Sequence, residues 1–181
     1  MRKFEEVTTD SQEIYKGKIV HLNVDTVTLP DGNTSKREII KHPGAVAVIA
    51  QKDDGRIIFV EQYRKALEKS IIEIPAGKLE EGEDPKVTAR RELEEETGYT
   101  SSHLELINSF YTSPGFADEL VNVYYTNQLS RLETNIAGDE DEFVELIELT
   151  LEEAEQLEKE QRIHDAKTSY ALLYLKLRGL K

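Results

Sequence analysis

The stretch Arg90-Arg91-Glu92-Leu93-Glu94-Glu95-Glu96-Thr97-Gly98 holds the densest set of chemically capable side chains in the sequence. Wound as a helix, it places Glu92, Glu95 and Glu96 at i, i+3 and i+4, on one face. Like charges at that spacing mildly destabilise a helix, so three carboxylates facing one way call for a cation. Carboxylate oxygens suit hard ions, magnesium or manganese above all. Taken alone, the cluster also reads as a solvated acidic face, common in a chain with 36 acidic residues. The wider spacing of the surrounding residues overturns that reading.

The helix that must carry these carboxylates has well-marked ends. Asp84 can cap it, Pro85 fits its first position, and Gly98 fits just past its last turn. Upstream, residues 14–40 read as strands, with Leu29-Pro30-Asp31-Gly32-Asn33 as a turn between apolar runs. His42-Pro43-Gly44 punctuates the chain, which divides the sequence into an N-terminal β unit (1–41) and a main domain (42–181). Strands are expected at 45–50, 56–63 and 71–74, the last closed by Pro75-Ala76-Gly77. Beyond the helix, strands are expected at 104–111 and 120–126, around a Ser113-Pro114-Gly115 turn, and at 143–149. Thr150 with Glu153 has the spacing of a capping box for a further helix, and a last helix covers roughly 166–177. Strands, helix, strands and two helices give an α+β chain, with helices packed on a mixed sheet.

Composition limits the partners. The net charge of −13 argues against a nucleic-acid backbone, which needs clustered Lys and Arg. It argues equally against an anionic membrane surface. An anionic substrate needs something that locally reverses the field, and bound divalent metals can do so. The chain has no cysteine, which removes disulfides, thiol catalysis and Cys-based zinc sites together. No apolar run approaches the roughly 20 residues that span a bilayer, and the charged first residues lack a signal-peptide core. The expectation is a soluble, cytoplasmic protein.

Gly77, Glu83, Arg91-Glu92 and Glu95-Glu96-Thr97-Gly98-Tyr99 stand at the spacing G-x5-E-x7-R-E-U-x-E-E-x-G-U, with U apolar. This resembles the Nudix box, and every fixed residue is matched. The one departure is Tyr99, where the family usually has an aliphatic side chain. The resemblance implies an α/β/α sandwich with a mixed sheet, preceded by the small β unit. It also implies hydrolysis of a pyrophosphate bond with Mg2+, or Mn2+, as the cofactor. Glu92, Glu95 and Glu96 carry over as metal ligands, with the carbonyl of Ala76 beside them. Arg91 orients the glutamates by charge-assisted hydrogen bonds. Glu83 either braces the loop or supports the helix N-terminus. Gly77 and Gly98 permit close or left-handed backbone.

Other segments are similar to the ADP-ribose pyrophosphatases of that family: His42-Pro43-Gly44-Ala45-Val46, Val60-Glu61-Gln62-Tyr63-Arg64, Glu73-Ile74-Pro75-Ala76-Gly77 and Ser113-Pro114-Gly115-Phe116. That likeness implies a general base on the acidic loop Gly138-Asp139-Glu140-Asp141-Glu142-Phe143, with Glu142 matching best and Glu140 the alternative. It implies substrate contacts from Arg37 and Arg64, whose guanidinium groups suit phosphate and can stack on adenine. Pro114 and Phe116 are expected at the pocket, and Glu119 at the terminal ribose hydroxyls. It also implies a homodimer in which the N-terminal unit helps build the partner's pocket. The expected reaction turns ADP-ribose into AMP and ribose 5-phosphate. Another nucleoside diphosphate derivative such as a sugar nucleotide or NADH, a nucleoside triphosphate, a non-catalytic nucleotide sensor, and an acidic interaction protein are the alternatives. The four histidines form no metal pattern.

Overall fold

The computed structural model describes residues 3–133 and 143–179. In chain order its elements are β1 (Val7–Lys16), β2 (His21–Thr28), β3 (Thr34–Lys41), β4 (Ala45–Gln51), β5 (Ile57–Arg64), β6 (Lys69–Glu73), β7 (Ala76–Lys78) and α1 (Pro85–Thr97). They continue with β8 (Tyr99–Thr100), β9 (Glu105–Tyr111), β10 (Leu120–Thr126), β11 (Ser130–Arg131), β12 (Val144–Leu149), α2 (Leu151–Lys159) and α3 (Ala166–Leu177). The chain divides into two compact units: Met1–Gly44 with Tyr111–Leu120, and Ala45–Phe110 with Val121–Lys181.

In the first unit, β1, β2 and β3 form an antiparallel meander in that order. The β2–β3 turn follows from its residues. Gly32 takes φ 87°, and the Asp31 carboxylate accepts the Asn33 amide at 3.0 Å. The sequence suggested strands from residue 14, whereas β1 begins at Val7. Every residue of β1 is exposed, so it carries no apolar alternation to signal it. The Ser113-Pro114-Gly115 turn belongs to this unit as well. Phe116 and Ala117 amides both donate to the Ser113 carbonyl, at 3.1 and 2.9 Å. Ile40 holds the segment, donating to the Phe116 carbonyl at 2.7 Å and accepting from the Asp118 amide at 3.2 Å.

The second unit is an α/β/α sandwich around a mixed sheet. Its strand order is β12-β5-β4-β10-β9, with β6 added to β5 and β7 added to β4. β4 runs parallel to β10 and antiparallel to β5 and β7. Side chains alternate across β4. Val46, Val48 and Ala50 pack with Ala89 and Leu93 of α1, while Ala47 and Ile49 pack with Leu151, Ala154, Ala171, Leu172 and Leu175 of α2 and α3. Burying a side chain such as Leu93 is worth about 1.5–3 kcal/mol, so α1 is anchored by its apolar stripe and its acidic residues flank that anchor.

One feature of the sheet was not legible in the sequence. β4 changes partner midway: Ala45, Val46 and Ala47 pair with β7, and Ala50 and Gln51 pair with β5. At the crossing point the Val48 amide donates to the Pro75 carbonyl at 2.8 Å. Residues 76–78 read as loop in the sequence because Pro-Ala-Gly punctuates; the ladder with β4 makes them a strand. Among the described residues, no helix is long and apolar enough to cross a membrane.

Candidate active site

The ends of α1 are set as its sequence suggests. Asp84 Oδ1 accepts the Lys86 amide at 2.8 Å, Pro85 opens the helix, and Gly98 closes it at φ 69° with its amide on the Glu94 carbonyl. These caps set where the helix begins and ends, and the buried Ala89 and Leu93 set its rotation. Glu92 and Glu96 are turned inward and are each 8% exposed, while Ala89 and Leu93 enter the core. Two buried carboxylates one turn apart demand compensation.

The compensation lies on β7 and on Arg91. The Ala76 amide donates to Glu96 Oε2 at 2.9 Å. Glu92 lies against Gly77 so closely that a β-carbon there would stand inside its carboxyl group. Gly77 has no positive φ, so its lack of a side chain serves this approach rather than a backbone turn. Arg91 Nη1 lies 2.9 Å from both Glu92 Oε1 and Glu95 Oε2, and Nη2 lies 3.4 Å from Glu83 Oε2. Burial works against the Arg91 charge, but Glu92, Glu83 and Glu95 outweigh it and hold the guanidinium protonated above its ordinary range. Thr88 donates to Glu83 Oε2 at 2.8 Å. That hydroxyl holds the Glu83 carboxyl below its ordinary range, against partial burial and with help from Arg91. Glu83 thus braces the loop ahead of α1 through Thr88 and Arg91, while Asp84 is the cap.

Among the described residues, no three or more Asp, Glu, His or Cys side chains already surround one point as a bound metal requires. Arg91 draws Glu95 and one oxygen of Glu92 to itself. The donor set nonetheless fits a hard divalent ion. Three carboxylates share a helix face, two of them converge on the Ala76-Gly77 backbone, and no softer nitrogen or sulfur donor stands among them.

The expected substrate residues fall into separate groups. Arg64, at the end of β5, donates from Nε to Glu73 Oε2 at 2.6 Å in the second unit. Arg37, Pro114, Phe116 and Glu119 are all in the first unit. Arg37 grips Glu6 with two nitrogens, at 2.8 and 2.6 Å, and this pairing raises its pKa. Phe116 is half exposed. Glu119 accepts from Thr112 Oγ1 at 2.5 Å and lies 3.7 Å from His42 Nε2. Glu140 and Glu142 lie outside the described residues. Sequence reasoning missed one pair, the buried Glu73 and the partly buried Lys167. The signal was there: an acid within Ile71-Ile72-Glu73-Ile74 puts a charge on an apolar strand, which requires a partner.

Residues 41–172 match the model of the NUDIX domain. The chain belongs to the Nudix family. Residues 6–40 match a second model, the nucleoside diphosphate sugar hydrolase N-terminal domain. Among Nudix relatives, the chain is 57% identical to an ADP-ribose pyrophosphatase of Bacillus subtilis (strain 168), over 98% of this chain and 96% of that one. It is 61% identical to a methanol dehydrogenase activator of Bacillus methanolicus, over 96% of this chain and 94% of that one. It is 31% identical to a GDP-mannose pyrophosphatase of Cronobacter sakazakii, over 93% of this chain and 96% of that one. A crystal structure described as an ADP compounds hydrolase shares the fold, with a TM-score of 0.83 and 19% identity over 98% of this chain and 97% of that one. Nudix hydrolases generally use divalent metal ions, which agrees with the carboxylate chemistry of α1.

Proposed function

We propose that the protein hydrolyses the pyrophosphate bond of ADP-ribose, releasing AMP and ribose 5-phosphate, with Mg2+ or Mn2+ as its cofactor. One observation carries this reading: Glu92 and Glu96 of a fully matched Nudix box converge on the Ala76-Gly77 backbone. The name of the Bacillus subtilis relative supports the choice of substrate.

Glu92, Glu95, Glu96 and the Ala76 carbonyl would hold the cation. When bound, a divalent ion neutralises phosphate charge and lowers the pKa of a coordinated water. Arg91 orients Glu92 and Glu95, and the Ala76 amide orients Glu96. Glu142 takes the proton from the attacking water, with Glu140 next in line. Water supplies the new oxygen on one phosphorus, and the bridging oxygen leaves with the other. Arg64 and Arg37 meet phosphate or adenine. Arg37 must first exchange Glu6 for the ligand, and an exposed pair in water is weak enough to allow that. Pro114 and Phe116 line the pocket and Glu119 accepts from ribose hydroxyls. The protein works in the cytoplasm as a homodimer.

The test is AMP release from ADP-ribose by the purified protein, with and without magnesium, beside NADH, ADP-glucose, GDP-mannose and a nucleoside triphosphate. Metal-dependent release, strongest from ADP-ribose, supports the proposal. A tenfold or greater preference for a triphosphate sinks the substrate. Two observations favour second readings. The GDP-mannose pyrophosphatase relative points to a sugar nucleotide, which the same panel reads. The methanol dehydrogenase activator relative points to action upon another enzyme, read by assaying a methanol dehydrogenase with and without this protein.

A further inference from the structure

Glu73 ends β6, three residues before Ala76, and is only 3% exposed. Its two oxygens meet different cations. Oε2 accepts from Arg64 Nε at 2.6 Å, and Oε1 accepts from Lys167 Nζ at 2.5 Å. Lys167 also reaches Asp165 Oδ1 at 2.9 Å, and Asp165 caps α3 by accepting the Thr168 amide at 3.1 Å. Arg64, Glu73, Lys167 and Asp165 therefore form a row of four alternating charges with no net charge. Three of them are largely shielded, with 4, 15 and 18% of the Glu73, Lys167 and Asp165 side chains exposed, while Arg64 is 39% exposed. The row is anchored in the protein at one end and opens to solvent at the arginine.

The backbone holds the anchored end rigidly. The Ile74 amide donates to Thr168 Oγ1 at 3.1 Å, and the Ile72 amide donates to the Arg162 carbonyl at 2.9 Å. Glu73 sits between two residues, Ile72 tied to the connection between α2 and α3 and Ile74 tied to the first turn of α3. A long arginine side chain loses considerable rotamer freedom when ordered. A fixed carboxylate that grips Nε imposes that order before a ligand arrives, and leaves the terminal nitrogens as the part that can fork onto phosphate.

We propose that Glu73 is a positioning residue, which fixes the Arg64 guanidinium for the anionic substrate from a carboxylate clamped on its other side by Lys167. This rests on the proposed hydrolysis of a nucleoside diphosphate compound, with Arg64 as a substrate contact.

The experiment is a double-mutant cycle in the full-length protein: Glu73→Gln, Arg64→Ala and both together, with kcat and KM measured on ADP-ribose in magnesium. Glu73→Gln is expected to raise KM about tenfold and to change kcat by less than about threefold. In the Arg64→Ala background the same substitution is expected to add less than about a twofold change. Equal effects of Glu73→Gln in both backgrounds, or an unchanged KM in the single variant, would overturn the proposal. Glu73→Asp is run in parallel. It keeps the buried charge and the Lys167 pair, so it folds if the neutral variant does not, and its shorter reach loosens Arg64 with the same expected pattern. If wild type cleaves another compound of the panel instead, the functional reading fails alone, and the cycle is run on that compound.

Discussion

Gly77 and Glu92 compete for the same space, since a β-carbon at position 77 would overlap the Glu92 carboxyl group. The clash falls on the far end of a flexible side chain, so Gly77→Ala can be accommodated by swinging Glu92 away. The fold is expected to survive with a loss of under about 1.5 kcal/mol, while turnover falls about a hundredfold because a proposed metal ligand has moved. Thermal unfolding and AMP release on the same preparation check both halves. A large stability loss with near-normal turnover per folded molecule would refute this.

Glu96→Gln tests the other inward carboxylate. Glutamine keeps a carbonyl oxygen for the Ala76 amide, so the link between α1 and β7 persists while the charge is lost. Turnover is expected to fall at least about a hundredfold, with a higher magnesium requirement. Kinetics across a magnesium titration decide it, and a normal rate with a normal requirement removes Glu96 from the ligand set.

If Glu142 is the proposed general base, Glu142→Gln is expected to lower kcat by about 10²–10⁴ with little change in ADP-ribose affinity, since a base acts in the transition state. Calorimetric binding beside steady-state kinetics separates the two. If affinity alone falls, Glu140 becomes the base to test.

The Glu83 brace gives a dependence on pH with a defined sign. Its folded carboxyl titrates below its ordinary value of 4.5. The stabilisation is therefore complete above that value and is lost as pH falls through the lower folded value. Glu83→Gln should lower the Tm at pH 7, and the gap to wild type should close as the pH drops below about 4.5. A gap that stays constant down to pH 3 would show that charge plays no part in the brace.

What was legible in the sequence was local. Asp84, Pro85 and Gly98 mark the ends of α1 because capping is decided within a few residues. Thr150 and Glu153 form the capping box of α2 for the same reason. The inward turn of Glu92 and Glu96 follows from the positions of Ala89 and Leu93 one helical step away. Pairings across long separations were hidden. Nothing near Ala76 announces β4 as its partner, and Lys167 lies 94 residues from Glu73. Arg37 and Arg64 suit an anionic substrate by their chemistry, but each is held by a carboxylate, Glu6 or Glu73, that periodicity does not reveal.

The change of partners along β4 bears on how the protein fails when heated. The Ala76 amide is bonded to Glu96 and the Val48 amide to the Pro75 carbonyl, where β7 pairs with the buried strand β4. Neither can open without breaking the central sheet, so both should exchange hydrogen for deuterium only through global unfolding. The carboxylate-bearing face and the core then form one cooperative block. Loss of activity on warming should coincide with loss of structure rather than precede it.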